Sequence, residues 1–321
     1  MHKYSSKVGW WGTLEVQNII HYFRCDGKVD CKDSSDELKC RVVDFDSSYN
    51  KFLSPPLPQS SVTQKLGILS SITIHSLASF DPVNQSYDVQ FTVLLKWFDA
   101  RLSFNNLRST PEINGLQPAE VEQIWFPYFQ FENTNKKEFS LLDNRASLKV
   151  LKMGAGILNG NQDTENKYVF DGNDNHIVYK RFYSEVFECE YSLHWYPFDT
   201  QICYLDIKPS PDLRDLIQFA TDKFEYEGPL DLTEYTVKKI SMGIEKDIML
   251  RVEIVIQRRL LSLILTAFLP TVILNIIGHM SNYFKEFFFE GLMSLNVTVM
   301  LVLTTMFLRH PILIITYFHV D

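Results

Sequence analysis

No catalytic signature runs through this chain. The G-x-S-x-G, H-E-x-x-H and P-loop patterns are all absent, so esterase-type, zinc-protease and phosphate-loop chemistry have no site to start from. The stretch GAGILNG, residues 154–160, has no strand pattern before it and no helix pattern after it, and it does not count as a phosphate loop. An excess of positive charge is also missing. Lys and Arg number 31 against 39 Asp and Glu, a formal charge of −8 with a pI near 5.5, which argues against nucleic acid or an anionic lipid surface as partner. No period of 20 to 50 residues repeats, and the first 23 residues hold no apolar signal-peptide core.

Two long stretches lack charge. Leu260 to Phe284 contains no Asp, Glu, Lys or Arg, enough for a helix to cross a hydrocarbon core of ~30 Å, and Gly291 to Leu308 is a second such run. With 45% hydrophobic residues, 14% aromatics and a mean hydropathy of −0.09, the composition fits a polar ectodomain joined to a small membrane portion. From Tyr49 to Gln257 apolar and polar residues alternate in short runs. LGILSSITIH from Leu66, YDVQFTVLLKW from Tyr87 and MLRVEIVI from Met249 show it best, and Asp, Pro, Asn and Gly clusters separate the runs. This predicts antiparallel strands in a two-sheet sandwich. The polar run 159–166 reads as an exposed loop.

Cys189 and Cys203 bracket thirteen residues whose centre is Trp195-Tyr196-Pro197-Phe198-Asp199. Pro197 fixes its own φ and biases Tyr196 toward extended backbone, so a stiff protrusion is expected. This segment resembles the signature loop of the pentameric Cys-loop ligand-gated ion channels. The strings WFDARL from Trp97 and IWFP from Ile124 resemble further motifs of that family, and the likeness covers roughly residues 50 to 309. It implies a Cys189–Cys203 disulfide, which in the chain-entropy model is worth about 3 kcal/mol for a loop of this length. Trp97 and Trp125 are expected to be core, and Asp99 with Arg101 to support a charged turn.

FRCDGKVDCKDSSDELKC, residues 23–40, resembles the second half of a low-density-lipoprotein-receptor class A repeat. In that pattern Cys25 would pair with Cys40, and Asp26, Asp30, Asp36 and Glu37 would converge with backbone carbonyls on a Ca²⁺ ion. The family uses six cysteines in the module, whereas this stretch has Cys25, Cys31 and Cys40, so a frayed acidic tail is the alternative. No other cofactor is expected.

On a helical wheel Glu290, Ser294, Thr298, Leu301, Thr305 and Leu308 share one face. A mostly polar stripe on a lipid-length helix reads as a pore lining, with packing against neighbouring helices as the alternative. The carboxylate of Glu290 at one mouth favours cations, and Leu301 provides a hydrophobic constriction; a pairing of Glu290 with Lys285 is the competing role. The resemblance also marks Arg258, between the last strand and the first membrane helix, as a gating-coupling residue. Its candidate partners are Asp199, beside Pro197 and Phe198 on the loop tip, and Asp81; a static anchor at the membrane surface is the other role for Arg258. Asn84-Gln-Ser is a glycosylation sequon. No ligand-binding set can be named: the positions matching the family's aromatic box hold Thr92, Glu132 and Ser210, no adjacent cysteine pair marks a tip near Gly243, and Tyr128, Phe129 and Phe131 read as core.

The organisation expected is therefore a partial class A module at 1–40, an extracellular β-sandwich at 41–257, a first membrane helix at 258–284, a second, pore-lining helix at 285–310 and a divergent tail at 311–321. The fold class is mainly β with α-helical transmembrane segments. The expected function is a subunit of a homo- or hetero-pentameric, plasma-membrane, multi-pass channel, gated by an extracellular small molecule or proton and permeable to cations. The family has four membrane helices and two are visible, so the chain reads as truncated after the pore helix. A non-conducting subunit that assembles with full-length partners is the rival.

Overall fold

A computed structural model of the chain describes residues 41–57, 65–134, 140, 142–143, 145–159, 167–281, 283 and 289–309. The front module and the tail lie outside these, as do the proposed Cys25–Cys40 pair and the acids Asp26, Asp30, Asp36 and Glu37.

The alternating segments form strands in three sheets. The first, five-stranded, has the order β11 (Ile217–Tyr226), β2 (Leu66–Asp81), β3 (Ser86–Trp97), β9 (His176–Glu188) and β6 (Ala146–Leu151). The second runs β12 (Tyr235–Glu245), β13 (Met249–Arg258), β10 (Thr200–Pro209) and β5 (Phe129–Phe131). A third, smaller sheet orders β1 (Val43–Phe45), β4 (Leu102–Asn105), β8 (Lys167–Asp171) and β7 (Ile157–Asn159). All pairings are antiparallel except β11 with β2.

Period-two patterning explains which residues turn inward. Along β3, Tyr87, Val89, Phe91, Val93, Leu95 and Trp97 are buried while the residues between them mostly face out. Their rings mesh with those of the other sheet: Phe91 meets Phe131 edge-on at 5.5 Å, and Phe131 meets Phe187 at 5.6 Å, in the offset and T-shaped geometries that aromatic quadrupoles favour. Trp97 and Trp125 are buried and pack edge to face at 6.3 Å. Asp99 takes Arg101 in a two-pronged bond of 2.8 and 2.7 Å. Gly172 presses on this turn so closely that a Cβ there would lie 2.1 Å from the Asp99 carbonyl oxygen.

The first apolar segment is helical in three abutting pieces, α2 (Leu260–Leu263), a π-helical turn (Ile264–Phe268) and α3 (Leu269–Ser281); α1 is a short turn at Pro118–Val121. The second segment is α4 (Phe289–Arg309), which packs against α3. Among the described residues no helix is long and apolar enough to cross a membrane, and a π turn divides the first apolar run.

Candidate functional site

Cys189 directly follows β9 and Cys203 lies within β10, so the bond between them, with Cα atoms 5.1 Å apart, ties the first sheet to the second. The loop they close hangs from the base of the sandwich. Its peptide at Tyr196–Pro197 is cis, where the sequence pattern had suggested an ordinary extended entry into Pro197. Trp195 and Phe198 are 74% and 70% exposed, two large apolar side chains presented outward, while Asp199 beside them is buried.

That burial is matched by charge. Arg258 ends β13 and donates from Nε to Asp199 Oδ1 at 2.8 Å and from Nη2 to Oδ2 at 3.0 Å, with both side chains almost fully enclosed. Burial is the largest single influence on the arginine and acts to lower its pKa, but the Asp199 hydrogen bond and the charges of Tyr235, Asp199 and Tyr196 together outweigh it, so the guanidinium is held more firmly protonated than usual. Two residues that the sequence did not single out, Gln201 and Tyr235, complete the arrangement together with Tyr196 of the loop tip. Gln201 Nε2 donates to Asp199 Oδ2 at 2.6 Å and to the Ser192 carbonyl at 2.8 Å, bracing the loop. The hydroxyl of Tyr235 accepts from Arg258 Nη2 at 2.6 Å, and the rings of Tyr235 and Tyr196 lie 4.6 and 4.9 Å from the guanidinium. A pair this buried is costly to break because the remaining charge has no solvent.

Asp81, the other candidate partner, sits elsewhere. Its carboxylate accepts from the backbone of Val83 and Asn84 and, at 2.7 Å, from Asn84 Nδ2. It caps its own turn, and the sequon asparagine is exposed in that turn.

On α4, Glu290, Ser294, Thr298, Leu301 and Thr305 are all exposed. Among the described residues of this helix Val299 is the buried side chain, on the side facing α3, where a Cβ on Gly278 would stand 3.8 Å from it. At 100° per residue the centre of the stripe is about 140° around the helix from Val299, so one face packs and the other is open. Thr298 and Thr305 return their hydroxyls to the Ser294 and Val302 carbonyls at 2.8 Å each, a common way for a helix to satisfy a hydroxyl.

Around the positions of the family's ligand box the side chains are polar and paired. Thr92 Oγ1 is 2.8 Å from His75 Nε2, whose Nδ1 meets Glu227 at 2.7 Å. Glu132 pairs with Lys208 at 2.9 Å, and Ser210 is buried. Arg251 joins Asp206 and Glu245 and lies over the Tyr204 ring at 4.5 Å. Phe129 and Phe131 are core, whereas Tyr128 is exposed. The β12–β13 hairpin turns at Lys246 and Asp247, both with positive φ, three residues beyond Gly243, which is inside the ladder opposite Arg251. Among the described residues no group of three or more His, Cys, Asp or Glu is arranged to hold a metal.

Comparison with known proteins gives this arrangement a context. A family model described as the neurotransmitter-gated ion-channel ligand binding domain matches residues 41–259, and one for the low-density lipoprotein receptor domain class A matches residues 18–40. The chain is similar to gamma-aminobutyric acid receptor subunit gamma-1 of Rattus norvegicus, 22% identical over 346 residues that cover 94% of this chain and 66% of that protein. The human subunit of the same name is 22% identical over 325 residues, 89% and 62% of the two chains. The glutamate-gated chloride channel of Drosophila melanogaster is 21% identical over 255 residues, 73% and 49%. The chain thus spans about two thirds of the length of the gamma-1 relatives and about half that of the chloride channel.

Proposed function

The chain belongs to the neurotransmitter-gated ion-channel family through its ligand-binding domain, a family of channels and not of enzymes, and on that premise we propose that it is a channel subunit whose α4 helix lines a pore. In this reading the run from Leu260 to Ser281 and α4 cross the plasma membrane, the sandwich is extracellular, and several subunits, of this chain or with relatives, close a ring. The observation that supports it is the open side of α4: Glu290, Ser294, Thr298, Leu301 and Thr305 are exposed away from Val299, a mostly polar stripe beside the exposed apolar Met293, Val297 and Met300. Such a stripe is unfavourable against lipid and favourable against water. The Arg258–Asp199 pair at the base of the sandwich then couples the disulfide loop to the first membrane helix. Polar, paired residues at the box positions argue against a quaternary ammonium ligand, which needs open aromatic faces.

For selectivity, Glu290 at the first turn of α4 favours cations, because a ring of carboxylates at a narrow mouth attracts them and repels anions. A chloride pore is the second reading, favoured by the name of the Drosophila relative. Reversal potentials in diluted salt separate the two. The cation reading predicts a shift toward the cation equilibrium potential, weakened by Glu290→Gln and little changed by Glu286→Gln. Chloride-selective current in the unmutated protein, or no response to Glu290→Gln, would contradict it.

A further inference from the structure

The turn between β2 and β3 does reach Arg258, by a route other than the carboxylate of Asp81. Phe80, the residue before it, stacks on Tyr87 with ring centroids 5.7 Å apart and meets the ring of Tyr235 at 5.5 Å. Tyr235 is 1% exposed and stands directly opposite Arg258 in the β12–β13 ladder. Its ring underlies the guanidinium and its hydroxyl accepts from it. Ring and hydroxyl are one rigid body, so a displacement of the ring by Phe80 moves both contacts to the arginine at once. Arg258 in turn holds Asp199 through two hydrogen bonds, and its backbone N–H also reaches the Asp199 carbonyl at 3.3 Å.

We infer that Tyr235 is a positioning residue that joins the β2–β3 turn, through Phe80, to the Arg258–Asp199 pair and so to the disulfide loop. The significance of this link for gating rests on the channel reading, but its physical content does not: Phe80 reaches the Arg258–Asp199 pair through the Tyr235 ring, a route separate from the direct tie at the start of the loop, where the Tyr191 hydroxyl donates to the Ser86 carbonyl at 2.9 Å. Asp81, occupied by Val83 and Asn84, shapes the turn and leaves the arginine to the aromatic side chain.

Hydrogen–deuterium exchange on the full chain in lipid nanodiscs tests this without any ligand or current. The readout is exchange in the loop segment 195–202, which holds Asp199 and excludes Tyr191, normalised to β6 at the far edge of the first sheet. Tyr235→Phe removes the hydroxyl and keeps the ring; losing a hydrogen bond to a charged group predicts roughly tenfold faster exchange in the loop. Phe80→Leu is expected to speed the loop as well, to do so again in the Tyr235→Phe background where the ring survives, and to add nothing once Tyr235→Leu has removed it. An effect of Phe80→Leu that is equal in all three backgrounds overturns the inference. So does a loop effect that vanishes on normalisation, or a loop unmoved by Tyr235→Phe.

Discussion

His176 carries the pH dependence that can be argued from a single residue. Its ring lies 3.7 Å from that of Phe98, its Nδ1 is 2.9 Å from Met153 Sδ, and the residue is buried. Burial first, and then the charge of Lys96, lower its pKa from the ordinary 6.5, against a smaller opposing pull from Asp222. The folded chain therefore binds this proton less readily than the unfolded chain does. The resulting stability is fully present above the unfolded value and is lost as pH falls through 6.5 toward the folded value. Thermal midpoints measured from neutral pH down to about 5.5 should fall, and His176→Gln should flatten that fall; parallel profiles for the two proteins would show that the residue does not contribute. Nothing in the sequence pointed to His176, because its neighbours Phe98 and Met153 are remote along the chain. The same holds for Tyr235, 23 residues from Arg258, and for Gln201. Arg258 and Asp199 were legible since each sits in a recognisable string, although the choice between Asp199 and Asp81 was not: Asp81 is drawn off by hydrogen bonds within its own turn, which no pattern reveals.

Among the elements, strands were the most legible. β2, β3 and β13 coincide with the clearest runs of alternation, since one side of each faces the core and the other does not. Turns were less so. The β12–β13 hairpin uses Lys246 and Asp247 in left-handed backbone at φ 53° and 57°, a conformation that glycine would adopt more readily, so no residue preference marks the turn itself. The first apolar run was legible as a helix by length, and its π turn was not. The disulfide loop is the element whose loss should be felt most widely, because its ends belong to different sheets. Replacing Cys189 and Cys203 together by Ser is expected to lower unfolding stability by about 3 kcal/mol, read as a lower denaturant midpoint at unchanged slope. A midpoint equal to that of the parent would mean that the staple adds nothing to the packed interface of aromatic rings.

At the scale of the molecule, a sandwich is followed by two helices, and Arg258, where the sandwich meets the first of them, is held by Asp199 and Tyr235. Arg258 is the last residue of β13, and α2 begins two residues later at Leu260. The connection is a single residue, Arg259, so the end of β13 and the start of the helix are held close together; on the channel reading proposed above, movement of the loop that Arg258 holds would pass to the first helix. What that helix passes on depends on α4, whose packed side meets α3 and whose polar stripe faces away. The sandwich was legible because alternation runs through the whole of it. The ligand was not, because the box positions are filled by pairs such as Glu132 with Lys208 that form only when β5 and β10 come together.

The central claim is that the α4 stripe faces water within a membrane. Single cysteines placed along α4 in the full chain, on intact cells and in a background lacking Cys25, Cys31 and Cys40, report it directly by their rate of reaction with a membrane-impermeant thiosulfonate. Substitutions at Ser294, Thr298, Leu301 and Thr305 are predicted to label rapidly, and those at Asn296, Val299 and Leu303, on the side of α3, slowly. Uniform labelling around the helix, or protection of the stripe while the α3 side reacts, would contradict it.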